Sequence, residues 1–176
     1  MKKQFLIGLF YFLISCYSAT CLFAQTLRES SEKAYSLLNS TKSSQKIALL
    51  HELISYRLID SVDRAKTLAF IAIEESKKLK SEKLESASLL WLASVHLSKN
   101  NPDSAELCII KAGKYYERNA GDLNYANFLF YKGRINLLKN NTKEAIQYYN
   151  QSIIIADKQN DYITLGNAHW NLAEYF

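Results

Sequence analysis

Apolar and small positions along the chain recur with a period of 40 residues. Ala65, Ala105 and Ala145 form one column, and Ala72, Ala112 and Ser152 form another seven residues later. Leu49, Leu89 and Leu129 stand near the start of each unit, and Lys78, Arg118 and Lys158 near its end. Ser61, Asn101 and Asn141 precede the first alanine column by four residues. Self-similarity at such a period marks stacked supersecondary units. Each column has a helical reason. Ser and Asn side chains accept hydrogen bonds from the free N–H groups of a helix start. Pro102 follows its cap at the position where no N–H is needed. Glu144 lies three residues after Asn141, a capping-box spacing. Small residues seven apart share one helix stripe, where two backbones can approach closely. The basic column suits the negative end of the helix dipole.

This pattern predicts helical hairpins. First helices are expected over 44–58, 84–98, 123–138 and 163–176, and second helices over 62–80, 102–119 and 142–159. Short polar joints such as Lys99-Asn100-Asn101 and Lys139-Asn140-Asn141 link them. An earlier helix over 26–39 caps the stack. The organisation that follows is a leader at 1–24, a capping segment at 25–43 and repeats over 44–176. The units run 44–83, 84–122 and 123–162, with an incomplete one at 163–176. One proline and five glycines are too few for the tight turns of an all-β fold, so the expectation is all-α.

The first residues break the pattern. Met1-Lys2-Lys3 is a positive start, Phe5 to Ile14 is continuously apolar, and Ala24 precedes Gln25 at a small-residue cleavage site. Together they read as an export signal. Leu13-Ile14-Ser15-Cys16 also fits a bacterial lipobox, in which Cys16 would be acylated. An uncleaved anchor is a third reading, since Phe5 to Ala24 is about long enough to span a bilayer. The expected location is the periplasm or cell envelope. Cleavage after Ala24 leaves Cys108 as the lone cysteine, with no internal disulfide to form.

The segment from Leu138 to Ser152, which carries Ala145 and Ser152 of the two small-residue columns, resembles the second-helix signature of the tetratricopeptide repeat family. Gly133 stands twelve residues before Ala145, as the family's small first-helix residue does, and Ala168 to Phe176 resembles its first-helix opening. The 40-residue period is similar to the extended class seen in kinesin light chains and bacterial signalling proteins. The small-residue column reads Leu53, Ala93, Gly133 and Ala173, so the first unit departs most from the pattern. The resemblance covers about residues 44–176 and implies an α-solenoid of antiparallel hairpins in a right-handed arc. It also implies that first helices line a concave groove for protein or peptide ligands. The groove positions map to Asn127, Phe130 and Arg134, to Asn167, Trp170 and Glu174, and to Ala87, Leu90 and Ser94. Amide, aromatic and charged groups there would suit an extended peptide. The competing reading, that Phe130 and Trp170 pack between units, stays open.

Composition adds exclusions. A net charge of +5, with Lys2 and Lys3 in the leader, is too mild and too dispersed for a nucleic-acid face. His51, His96 and His169 occupy three different positions within their units, and neither a His-Glu-x-x-His nor a Cys-x-x-Cys motif occurs, so no metal is expected. Gly113, Gly121, Gly133 and Gly166 are too scattered to cradle a phosphate. Glu74-Glu75 and Asp60 with Asp63 read as solvated helix faces and caps, and Cys108 as a structural thiol. The chain is expected to be a binding scaffold without cofactor or catalysis, or else the sensor part of a larger signalling protein. Leu172, Ala173 and Phe176 would form a core-facing stripe with no second helix over it. The chain is therefore expected to be a fragment, or to associate through its C-terminal end, including with a second copy.

Overall fold

The computed structural model describes residues 35–38, 41 and 43–174. The chain divides into two units, Met1–Thr41 and Lys42–Phe176. In the first, residues 35–38 are helical, and Leu37 O accepts from both Thr41 N (3.1 Å) and Thr41 Oγ1 (2.7 Å). The rest of the expected capping helix, the leader with Cys16, and Phe176 lie outside the described residues.

The second unit is helical throughout, with no strand among its described residues. Its helices are α1 (Ser44–Asp60), α2 (Val62–Lys78), α3 (Glu82–Ser98), α4 (Pro102–Tyr116), α5 (Tyr125–Leu138), α6 (Thr142–Gln159) and α7 (Tyr162–Ala173). Each packs on the next. In addition α1 and α3, α3 and α5, and α5 and α7 bring Cα atoms within 8 Å of one another, whereas the backbones of α2, α4 and α6 do not approach one another that closely.

Four joints share one construction. Lys80, Asn100, Asn140 and Asn160 adopt φ of 51°, 52°, 62° and 56°, the left-handed region. The next residue then sends its N–H back five residues: Ser81 to Ser76 O (3.2 Å), Asn101 to His96 O (3.0 Å), Asn141 to Asn136 O (2.8 Å) and Asp161 to Ala156 O (2.9 Å). This is the Schellman closure, which satisfies carbonyls at the end of a helix. The residue that closes one helix also opens the following one. Ser81, Asn101 and Asp161 accept from Leu84 N (3.3 Å), Ser104 N (3.0 Å) and Thr164 N (3.1 Å). The expected caps Ser61 and Asn141 make no such side-chain bond. Asn141 instead turns its amide to Asn136 Oδ1 at 3.4 Å, and Ser61 is the single extended residue between α1 and α2.

The joint between α4 and α5 is longer than expected. The helix stops at Tyr116 and resumes at Tyr125, because Asp122 anchors the segment between them. Its carboxylate accepts from Tyr115 Oη (2.9 Å), Asn124 N (2.9 Å) and Lys83 Nζ (3.0 Å), and its backbone oxygen accepts from Gln159 Nε2 (3.1 Å). Burial pushes the Asp122 pKa up, but these donors outweigh it and hold the group below its ordinary value.

The core follows the columns. Ala65, Ala105, Ala145, Ala72, Ala112 and Ser152 are fully buried, and so are Ser76, Tyr116 and Ala156 of a third column. The buried hydroxyl of Ser152 is satisfied by Ala126 O at 2.8 Å. A second buried polar chain joins α1, α2 and α3. Ser88 Oγ stands 3.3 Å from Ser76 Oγ and 2.8 Å from His51 Nε2; because Ser76 Oγ donates to Ala72 O (2.7 Å) and Ser88 Oγ to Leu84 O (2.9 Å), His51 Nε2 supplies the proton of its bond to Ser88. Burial lowers the His51 pKa to about 4. Surface ion pairs repeat as well: Lys99 meets Asp63, and forty residues on Lys139 meets Asp103 at 2.9 Å and Glu106 at 2.6 Å.

Candidate binding site

The first helices present two faces of chemistry: one meets the second helix of its own hairpin, and the other faces along the row α1, α3, α5, α7. On α5 the first is well defined. Ala126 O takes the Ser152 hydroxyl, Phe130 meets Tyr149 with ring centroids 5.8 Å apart, and Gly133 faces the same tyrosine ring. A Cβ on Gly133 would stand 2.7 Å from Cδ1 and Cε1 of Tyr149, so only glycine admits this ring. Phe130, expected in the groove, is 4% exposed, so packing describes it. Leu90 and Ser94 at the matching positions of α3 are also buried.

Polar residues gather beside this contact. Burial raises the pKa of the Tyr131 phenol, opposed by hydrogen bonds from Ser94 and Asn127 and by the charge of Arg134. Burial also pushes Tyr149 up to about 12, opposed by Arg134 and assisted by Glu174. Tyr149 Oη donates to Asn171 Oδ1 at 3.3 Å. The structure therefore joins Asn127 to Tyr131, and the charges of Arg134 and Glu174 both act on the Tyr149 phenol. Asn127 and Arg134 are half-buried. Arg134 lies over the Phe130 ring at 6.0 Å and has no carboxylate within 4.0 Å among the described residues. Asn167, Trp170 and Glu174 are exposed, and Asn167 joins the others only through its backbone oxygen, which accepts from Asn171 Nδ2 at 2.9 Å. Sequence reasoning missed Tyr131 and Asn171. The first had no visible signal beyond its aromatic type, and the second none.

The other candidates are inert in place. Cys108 is buried, and burial pushes its thiol up to about 11 against the opposing charge of Lys111, so it stays protonated at neutral pH. Glu74 and Glu75 pair with Lys77 and Lys78 at 2.8 and 2.9 Å. Among the described residues no three His, Cys, Asp or Glu side chains form a group that could hold a metal. Nor is any described helix long and apolar enough to cross a membrane. A cleft of ≈ 120 Å³ lies between α4 and α5, walled by Ile109, Ile110, Phe128 and Ile135. Lys132 borders it, with its ammonium over the Tyr148 ring at 4.7 Å. No family model matches the chain, and no curated protein is significantly similar to it.

Proposed function

We propose that this chain is an exported tetratricopeptide-type α-solenoid that binds an extended peptide of a partner protein along its first-helix row. The observation that carries the reading is the asymmetry of the contacts. The backbones of successive first helices come within 8 Å of one another and those of the second helices do not. Such a stack curves with its first helices inside, which leaves a groove along that row. Asn127 and Arg134 offer the groove an amide for peptide backbone and a guanidinium without a carboxylate partner. Export rests on the positive start and apolar run of the leader. Its processing is read by mass spectrometry of the mature N-terminus, which begins at Gln25, at an acylated Cys16, or at Met1 if the segment is retained.

The binding test is direct. Peptides selected from a displayed library on the purified protein are titrated against the wild type and against an Asn127→Ala/Arg134→Ala double variant. The reading expects a loss of roughly tenfold or more, about 1.4 kcal/mol, with the helical circular dichroism spectrum retained at the temperature of the titration. Equal affinity for both proteins would refute it.

A further inference from the structure

One column of the repeat changes character in its middle copy: it reads Leu92, Lys132 and Leu172. Leu92 is 5% exposed on α3, and Leu172 is partly buried on α7. On α5 a half-buried lysine stands in the same place. The seam it occupies is also built differently. α4 joins α5 through residues 117–124, whereas α2 joins α3 through 79–81 and α6 joins α7 through 160–161. Asp122 holds the longer joint in place, and between the two helices the cleft of ≈ 120 Å³ stays open. Its walls are Ile109 and Ile110 from one side and Phe128 and Ile135 from the other. Apolar walls with no atoms against them forgo contacts that an apolar occupant would supply.

The polar groups around the cleft differ in how far they are already used. The Lys132 ammonium lies 4.7 Å from the centre of the Tyr148 ring and 5.4 Å from that of Phe128. It has no carboxylate within 4.0 Å among the described residues. Glu106 is neutralised by Lys139 at 2.6 Å. Glu117 lies about three turns away along the chain of α4 and is exposed, so water and salt screen it. Asn136 gives one amide N–H to Lys132 O at 2.9 Å and carries a second. The unused chemistry is therefore one cation and one amide donor beside an apolar wall.

We infer that this cleft binds a small free monocarboxylate whose apolar body is about the size of one phenyl ring. The carboxylate pairs with Lys132, a charge-assisted contact, and the body lies between the isoleucines and Phe128. The size follows from the volume, since an apolar cavity of about 150 Å³ takes a benzene molecule. The inference does not rest on the peptide groove, because neither Asn127 nor Arg134 lines the cleft.

The test is a fluorine NMR titration of the purified chain with para-fluorophenylacetate, beside its neutral and cationic relatives para-fluorophenethyl alcohol and para-fluorophenethylamine. Saturable binding of the acid is expected, at least about tenfold tighter than that of either relative. Lys132→Gln should weaken the acid at least about tenfold and leave the alcohol unchanged, whereas Lys132→Arg should keep the acid bound. Lys132→Leu, which restores the residue of the column, should abolish binding. A helical circular dichroism spectrum retained at the titration temperature shows that each variant is folded. No saturation at millimolar acid, equal affinity for acid and alcohol, or binding indifferent to Lys132→Gln would overturn the inference. So would tighter binding of the amine, since Glu117 would then be the recognising charge.

Discussion

The same substitution, glycine to alanine, should have opposite effects at positions 133 and 166. In a helix interior alanine is favoured over glycine by roughly 0.5–1 kcal/mol, because glycine loses more backbone freedom on folding. At Gly166 nothing opposes this gain, since no atom lies within 4 Å of the new methyl. At Gly133 the methyl would sit 2.7 Å from two ring carbons of Tyr149 and 3.2 Å from a third. The ring has little room to retreat. It is 1% exposed, packs on Phe130 and holds Asn171 through its hydroxyl. Overpacking of this kind costs about 1–3 kcal/mol, which exceeds the propensity gain. Gly133→Ala should therefore lower stability by about 1–2 kcal/mol and Tm by roughly 2–8 °C. Gly166→Ala should raise Tm by about 2–4 °C. Thermal and urea denaturation of the two variants measure both. In a Tyr149→Leu background the penalty at 133 should shrink, because the ring carbons that clash are gone. Equal rises in Tm for both variants would show that α5 and α6 do not meet at Gly133.

Other consequences follow from the joints and the buried polar groups. Lys80 holds a left-handed conformation where the matching joints use asparagine, so Lys80→Asn should stabilise by a few tenths of a kcal/mol, up to about 1, and a loss in a melting experiment would contradict that geometry. Asn101→Ala should cost about 0.5–2 kcal/mol by removing a real cap, whereas Asn141→Ala should cost clearly less, and urea midpoints of the pair decide. His51 has its pKa lowered to about 4 in the fold, so the unfolded chain takes up this proton first. Stability should fall as pH drops from about 6.5 toward 4, by roughly 2–3 kcal/mol, and His51→Gln should flatten that window. Asp122, depressed below its ordinary value, contributes stability that is present above about 3.8 and lost as pH falls further. Asp122→Ala should remove this acid limb of the denaturation profile.

Much of the fold is readable because a 40-residue repeat samples each structural position several times. A single alanine says little, but Ala65, Ala105 and Ala145 all buried at a helix contact say where two backbones meet. The helices lie within three residues of expectation wherever a Schellman joint sits between them. The departures come from single side chains with non-local partners. Asp122 stops α4 early because it gathers donors from α3, α4 and the start of α5, which no local propensity reveals. The candidate groove was less legible. Phe130 and Trp170 share a column yet differ fully in exposure, because α6 covers one and no described helix covers the other. Column position specifies which face a side chain occupies; the neighbouring helix decides whether that face meets water.

The central claim is that the first helices form an inner row and the second helices an outer one. Spin-label distances test it most directly. Labels are placed at matched exposed or half-exposed positions one unit apart, at 87 and 127 on α3 and α5, and at 67 and 107 on α2 and α4. The arc reading predicts a shorter distance for the first-helix pair than for the second-helix pair, with a narrow distribution for each. Equal distances, or a longer one between first helices, would contradict it and remove the concave groove on which the proposed function depends.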